Sequence, residues 1–189
     1  MIKAAITRII NKLKCPIVQK HYGVSKPKRI ILKDVFKGWN KNQEYGYTKY
    51  AKDNPGYYSG GIHKGWDFGE KKGKIINVAH DGIVVKVVKK QTYNKDGVAI
   101  GKGLMVSVCD RKQGIATRYC HMSKILVRKG RVVKAGDAIG KVGDTGFSKG
   151  SHLHWELLLT DDNCEVLNSN NVFKGTINPA DKDLVKWVK

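Results

Sequence analysis

From Lys74 onward the chain is written in a period of two. Ile76 and Val78, then Ile83, Val85 and Val87 after the turn signal Asp81-Gly82, alternate or run as short β-branched stretches. Residues 104–109 (LMVSVC) and 116–121 (ATRYCH) read as the next two strands, with a turn over 110–114. Val132 and Val133, then 138–142, give two more, punctuated by Gly130, Gly136, Gly140 and Gly143, and 152–159 closes the series. Alternation of this kind buries one face of each strand, and glycines at short intervals supply the turns. The expected fold class is therefore mainly β, an antiparallel sheet or sandwich. Two stretches break the rhythm: 34–61, rich in Tyr, Asn, Lys and Gly, and 92–103. Both are expected to be long loops that wall a binding groove. Beyond Asn178-Pro179, residues 181–188 are expected to form a short helix.

A length of 189 residues suits one compact domain with a short appendage. The charge is the compositional outlier: 36 Lys+Arg against 16 Asp+Glu leave +20. Such a field draws a protein to polyanions, among them nucleic acid, anionic lipid and the anionic polymers of bacterial walls. The basic residues are dense early, with eleven Lys/Arg and the single acid Asp34 between Lys3 and Lys41. Lys3, Arg8 and Lys12 interrupt the apolar residues of 2–13, which excludes a good signal peptide and suggests a basic amphipathic helix. No segment approaches the roughly 20 apolar residues of a membrane span. Of the four cysteines none forms a CxxC pair, so a zinc ribbon is excluded. Cys109 and Cys120 read as small core residues of strands, and no disulfide framework is expected.

Four of the six histidines fall in three short motifs. In Gly61-Ile62-His63-Lys64-Gly65-Trp66-Asp67-Phe68 the imidazole and the carboxylate stand four apart, and the glycines argue for an extended or looped course. Both are good zinc ligands. In Ser151-His152-Leu153-His154-Trp155-Glu156-Leu157 a strand would turn His152, His154 and Glu156 to one face and Leu153, Trp155 and Leu157 to the other. Such an HxH pair supplies either two metal ligands or one ligand and one neighbouring base. Tyr119-Cys120-His121-Met122-Ser123 places a third imidazole at a strand end. A lone strand histidine is more often a hydrogen-bonded structural residue, and His80 and His21 are read that way. Three such motifs within one glycine-rich β pattern point instead to a metal site.

At these residues the sequence resembles the lysostaphin-type, LytM-like peptidoglycan endopeptidases. The similarity runs from Gly61 to Pro179 and includes HKGWDF at 63–68, VAHDGIVVKV at 78–87, YCHMS at 119–123, VVKAGDAIGKVGDTG at 132–146 and HLHWE at 152–156. Residues 14–23 are similar to the family's opening strand. Trp66 stands where a smaller apolar residue is usual, and His80 where a small one often precedes Asp-Gly. The resemblance implies a lysostaphin-like fold of the barrel-sandwich hybrid type. It implies one zinc ion per chain on His63, Asp67 and His154, with His121 and His152 as non-ligand catalytic residues. It also implies hydrolysis of the peptide part of bacterial peptidoglycan. Glu156 is either a partner for a ligand's second nitrogen or a solvated carboxylate.

The domain reading is a basic segment over 1–30, a loop-rich insertion over 31–60, the endopeptidase core over 61–180 and a tail over 181–189. The expected partners are peptidoglycan and anionic wall polymers, with other virion proteins if the enzyme is phage-encoded. Action is expected outside the cell or on a particle. Two rivals remain: a catalytically dead wall- or partner-binding relative, and a basic nucleic-acid-binding β domain using Tyr45, Tyr47, Tyr50, Tyr57 and Tyr58 for stacking. Intact site residues argue against the first, and HLH and HKGWD have no place in the second.

Overall fold

The computed structural model describes residues 29–36, 41–55, 58–170 and 173–188. Early elements are β1 (Ile30–Lys33), β2 (Lys41–Gln43), the helix α1 (Lys49–Asp53) and β3 (Trp66–Phe68). The regular β series follows as β4 (Ile75–Asn77), β5 (Gly82–Val88), β6 (Thr92–Tyr93), β7 (Ala99–Ile100), β8 (Leu104–Asp110) and β9 (Ile115–Met122). The chain continues through β10 (Lys124–Ile125), β11 (Val132–Val133), β12 (Ala138–Lys141), β13 (Leu153–Leu159), β14 (Thr176–Ile177) and β15 (Val185–Val188).

The largest sheet runs β11-β5-β8-β9-β13-β3-β2, with β14 on β13, and a three-stranded sheet runs β10-β12-β4. All their pairings are antiparallel. The strands expected from 76 to 159 are all present with limits within a residue or two, while β6, β7 and β10 were not expected, and in β5 the buried residue is Val84 and not Ile83, Val85 or Val87. Side chains from both sheets meet in one core, which contains Ile76, Val78, Val84, Val106, Val108, Ile139, Leu153, Trp155 and Leu157. Trp155 and Tyr119 are fully buried, and each large side chain so placed contributes about 1.5–3 kcal/mol of hydrophobic stabilisation.

Three expectations are overturned. Residues 181–188 do not form a helix: β15 pairs in parallel with β1, Val185 opposite Ile30 and Trp187 opposite Leu32. The Asp181 carboxylate caps a turn by accepting from the N–H groups of Asp183 and Leu184. Val185 is then buried while Lys186 is exposed, and Trp187 stacks on Trp66 at 5.4 Å and 18°. That stacking gives the unusual Trp66 its role.

The second concerns cysteine. Cys109 and Cys164 form a disulfide, 55 residues apart in sequence, while Cys120 is free and buried. Cys164 lies in a turn at φ 67, which sequence spacing could not reveal. The third concerns the loops. Residues 92–103 contain the β6–β7 hairpin, whose Asn94 Oδ1 accepts from the N–H groups of Asp96 and Val98. Residues 34–61 contain β2 and α1, the helix capped by Thr48, whose hydroxyl accepts from Ala51 N–H at 3.0 Å. The helix expected over 2–13, the strand over 14–23, Cys15 and His21 lie outside the described residues.

Candidate active site

β13 is the platform. Its pairing with β9 and β3 sets His154 opposite Cys120 on one side and Asp67 on the other, with Glu156 opposite Arg118. His63 reaches the same place from the preceding segment through an isolated bridge to Gly46. Gly65 permits that approach, because a Cβ there would lie 2.2 Å from the carbonyl oxygen of Trp155. A side chain at that position would push His63 and Asp67 off β13.

Three ligand atoms converge. His63 Nε2 lies 3.1 Å from Asp67 Oδ1 and 3.0 Å from His154 Nδ1, and the last two are 2.8 Å apart. His63 is buried, as is Asp67. The other nitrogen of each imidazole is already engaged. His63 Nδ1 donates to the Glu44 carbonyl at 2.6 Å, and His154 Nε2 donates to Glu156 Oε1 at 3.2 Å. Neutral imidazoles with those protons present two lone pairs, beside a carboxylate, to one point. Only a cation satisfies three such acceptors together, and His2Asp suits zinc while leaving a fourth position open.

The electrostatics agree. Burial pushes the Asp67 carboxyl up, but inward-facing protons that His154 and His63 carry when no metal holds them outweigh it and keep Asp67 well below the ordinary carboxylate range; a metal ion would take the place of those protons. Burial likewise works against charge on His154, while Asp67 and Glu156 raise its pKa. Glu156 is almost fully buried, so the solvated alternative is excluded. Burial raises its pKa, yet Lys102 and His154 bring it well below the usual value. Lys102 Nζ pairs with Oε1, and Arg118 donates to Oε2 at 3.1 Å.

His121 and His152 face this centre as a second pair, their ring centroids 4.7 Å apart. His121 Nδ1 donates to the Thr145 carbonyl at 2.7 Å, and His152 Nδ1 donates to the Gly150 carbonyl at 2.8 Å. A neutral ring held this way carries its lone pair on Nε2. His152 Nε2 is 3.9 Å from Asp67 Oδ1. Burial, then the proximity of His154 and His152, pushes His121 down to about 3. His121 also holds φ 60, a left-handed conformation uncommon for a non-glycine residue. It is retained because its N–H donates to the Lys102 carbonyl at 2.9 Å. All five sequence-predicted residues therefore meet in one place.

Sequence reasoning missed the groups that orient them: the carbonyls of Glu44, Thr145 and Gly150, and the cations Lys102 and Arg118. A backbone carbonyl leaves no signature in sequence. Arg118 had one, since it stands on the same strand face as Cys120 and opposite Glu156 once register is known. His80 is structural, as expected. It is buried, its Nδ1 donates to the Asp81 carbonyl at 2.8 Å, and its Nε2 lies within hydrogen-bond distance of the Thr117 hydroxyl at 2.9 Å.

A β scaffold gathers two imidazoles and a carboxylate that could hold a metal ion, with two further imidazoles beside them, the pattern of a candidate hydrolase site. The chain belongs to peptidase family M23, which it matches over residues 61–168. Peptidases of this family are zinc metalloproteases. It is 35% identical over 108 residues to the peptidoglycan DD-endopeptidase ShyA of Vibrio cholerae, covering 57% of this chain and 23% of that protein. It is 32% identical over 120 residues to lysostaphin of Staphylococcus staphylolyticus, covering 64% and 22%. The matched segment thus spans about a quarter or less of those relatives. The catalytic domain of lysostaphin from Staphylococcus simulans superposes with a TM-score of 0.56 at 26% identity, over 75% of this chain and 89% of that one. The catalytic domain of the prophage-encoded M23 protein EnpA from Enterococcus faecalis gives 0.54 at 28%, over 74% and 95%. The lysostaphin-like fold inferred from the motifs is the one observed.

Proposed function

We propose that this chain is a zinc endopeptidase that hydrolyses peptide cross-links or bridges of bacterial peptidoglycan. The observation that carries the reading is the convergence of three ligand atoms beside two imidazoles, His121 and His152, whose Nδ1 atoms are turned to backbone carbonyls. His63, Asp67 and His154 would hold the ion. When bound, zinc polarises the scissile carbonyl and lowers the pKa of a water to about 7. His121 and His152 position that water through Nε2, accept its proton and return one to the leaving amine. The carbonyls of Thr145 and Gly150 keep those two rings in the tautomer that can do so. Relatives named as peptidoglycan endopeptidases support the substrate class.

The +20 charge supports contact with anionic wall polymers. A disulfide between Cys109 and Cys164 supports work outside a reducing cytoplasm. No helix of the described residues is long and apolar enough to cross a membrane. The test is mass spectrometry of wall fragments after digestion by zinc-loaded protein. New amino termini with intact glycan are expected. Walls left without new amino termini, or cleaved in their sugars, would sink the reading.

A further inference from the structure

We propose that Lys102 is a positioning residue that ties the β6–β7 hairpin to both halves of the site at once, an inference resting on the metal-centre reading above. Its backbone serves one half. The Lys102 carbonyl accepts from His121 N–H at 2.9 Å, which holds His121 in its left-handed conformation. The next residue, Gly103, has φ 61, and a Cβ there would lie 2.4 Å from Thr145. The neighbouring Leu104 N–H donates to the Thr145 hydroxyl at 3.0 Å. Residues 102–104 are thereby pressed against the residue whose carbonyl orients the His121 ring.

Its side chain serves the other half. Lys102 Nζ pairs with Glu156 Oε1, the oxygen that receives the His154 Nε2 proton. Arg118 holds Glu156 Oε2 from the directly opposite position on β9. An arginine and a carboxylate left to themselves favour a two-pronged contact that occupies both oxygens. Lys102 opposes that rotation by anchoring Oε1 beside His154. Without it Glu156 swings toward Arg118, His154 loses the partner that fixes its proton on Nε2, and Nδ1 no longer presents a defined lone pair. Partners that orient a ligating histidine act on metal affinity in this way. Side-chain exposure of Lys102 is 39% against 1% for Glu156, so the lysine reaches a buried acid from the groove side without itself being sealed in.

The experiment is a double-mutant cycle on zinc affinity, read by chelator competition with the full chain. Melting of the metal-free proteins checks that each variant folds. Lys102→Met and Glu156→Gln are each expected to weaken zinc by about tenfold to hundredfold. The double variant is expected to match the weaker single to within about threefold, because both act through one carboxylate. Lys102→Arg, which keeps a cation on Oε1, is expected to stay near the parent, and it carries the test should Lys102→Met fail to fold. Additive losses in the cycle, a Lys102→Met variant with parental affinity, or a Lys102→Arg variant with a loss as deep as that expected for Met would overturn the proposal. A parent that binds no zinc and cuts no wall would sink the peptidase reading itself. A parent that does both, beside a Lys102→Met variant that does both equally well, sinks only the role of Lys102.

Discussion

The site has two halves built on opposite principles. His63, Asp67 and His154 are tied into paired strands, and their outer atoms end on a carbonyl and on a buried carboxylate with two cations around it. That half concentrates negative charge and lone pairs. His121 and His152 stand at a strand end and at a strand start, held by the carbonyls of Thr145 and Gly150, with the Ser148 hydroxyl also 3.2 Å from His152 Nδ1. No carboxylate accepts from their Nδ1 atoms, and burial keeps His121 neutral. In the proposed reading one half would bind a cation and the other would carry a proton. His63 also ends on a carbonyl, so what separates the halves is contact with the Asp67 carboxylate, which His63 and His154 make at 3.1 and 2.8 Å and which His152 misses at 3.9 Å.

The sharpest way to break the contrast is to remove one member from each half. Asp67→Ala should abolish bound zinc and, with it, wall hydrolysis, as metal analysis and fragment spectrometry would register. A zinc-replete Asp67→Ala protein would refute the assignment of that half. His152→Ala, and separately His121→Ala, should keep stoichiometric zinc and lose about 10²–10⁴-fold in turnover. If either lost its zinc, the two halves would not be distinct.

Smaller effects separate the scaffold from the site. Cys164→Ser should cost about 2–4 kcal/mol in urea unfolding while turnover of the folded protein at 25 °C stays parental. A variant with unaltered stability would show that the Cys109–Cys164 link contributes nothing.

The smallest effect concerns His80, the buried histidine outside both halves. Burial lowers its pKa, with the Asp81 carbonyl opposing. Around it the Tyr119 hydroxyl accepts from Ala79 N–H and from Thr117 Oγ1, and Thr117 Oγ1 lies 2.9 Å from His80 Nε2. In the unfolded chain His80 takes up a proton as pH drops below about 6.5, whereas in the fold it does not. Its contribution is therefore full above that pH and lost as pH falls toward the depressed folded value, at no more than about 1.4 kcal/mol per pH unit. His80→Gln should flatten stability between about pH 7 and pH 5.5. Equal pH dependence in parent and variant would reject this account.

Much of this was legible beforehand because strand periodicity is local. The β-branched run at 83–88 and the split faces of His152–Leu157 depend only on neighbours along the chain, so the strands and the chemical face of β13 could be read directly, although which residue of β5 turns inward, Val84, could not. The errors arose where a distant partner decided the outcome. Residues 185–188 carry two apolar side chains at strand spacing, yet only the presence of β1 and Trp66 makes them a strand. Cys109 looks like any buried strand residue until the turn at Cys164 comes beside it. Glu156 could be placed on the right face but not buried, since its burial depends on Lys102 and Arg118 arriving to balance its charge.

The order of residues by itself determined the β architecture, the five site side chains and the chemistry available to them, because residue type and period are properties of the linear chain. Tertiary structure alone decided which nitrogen of each histidine faces inward. It did so through carbonyls and counter-ions brought from other strands, whose positions are a matter of register and not of composition.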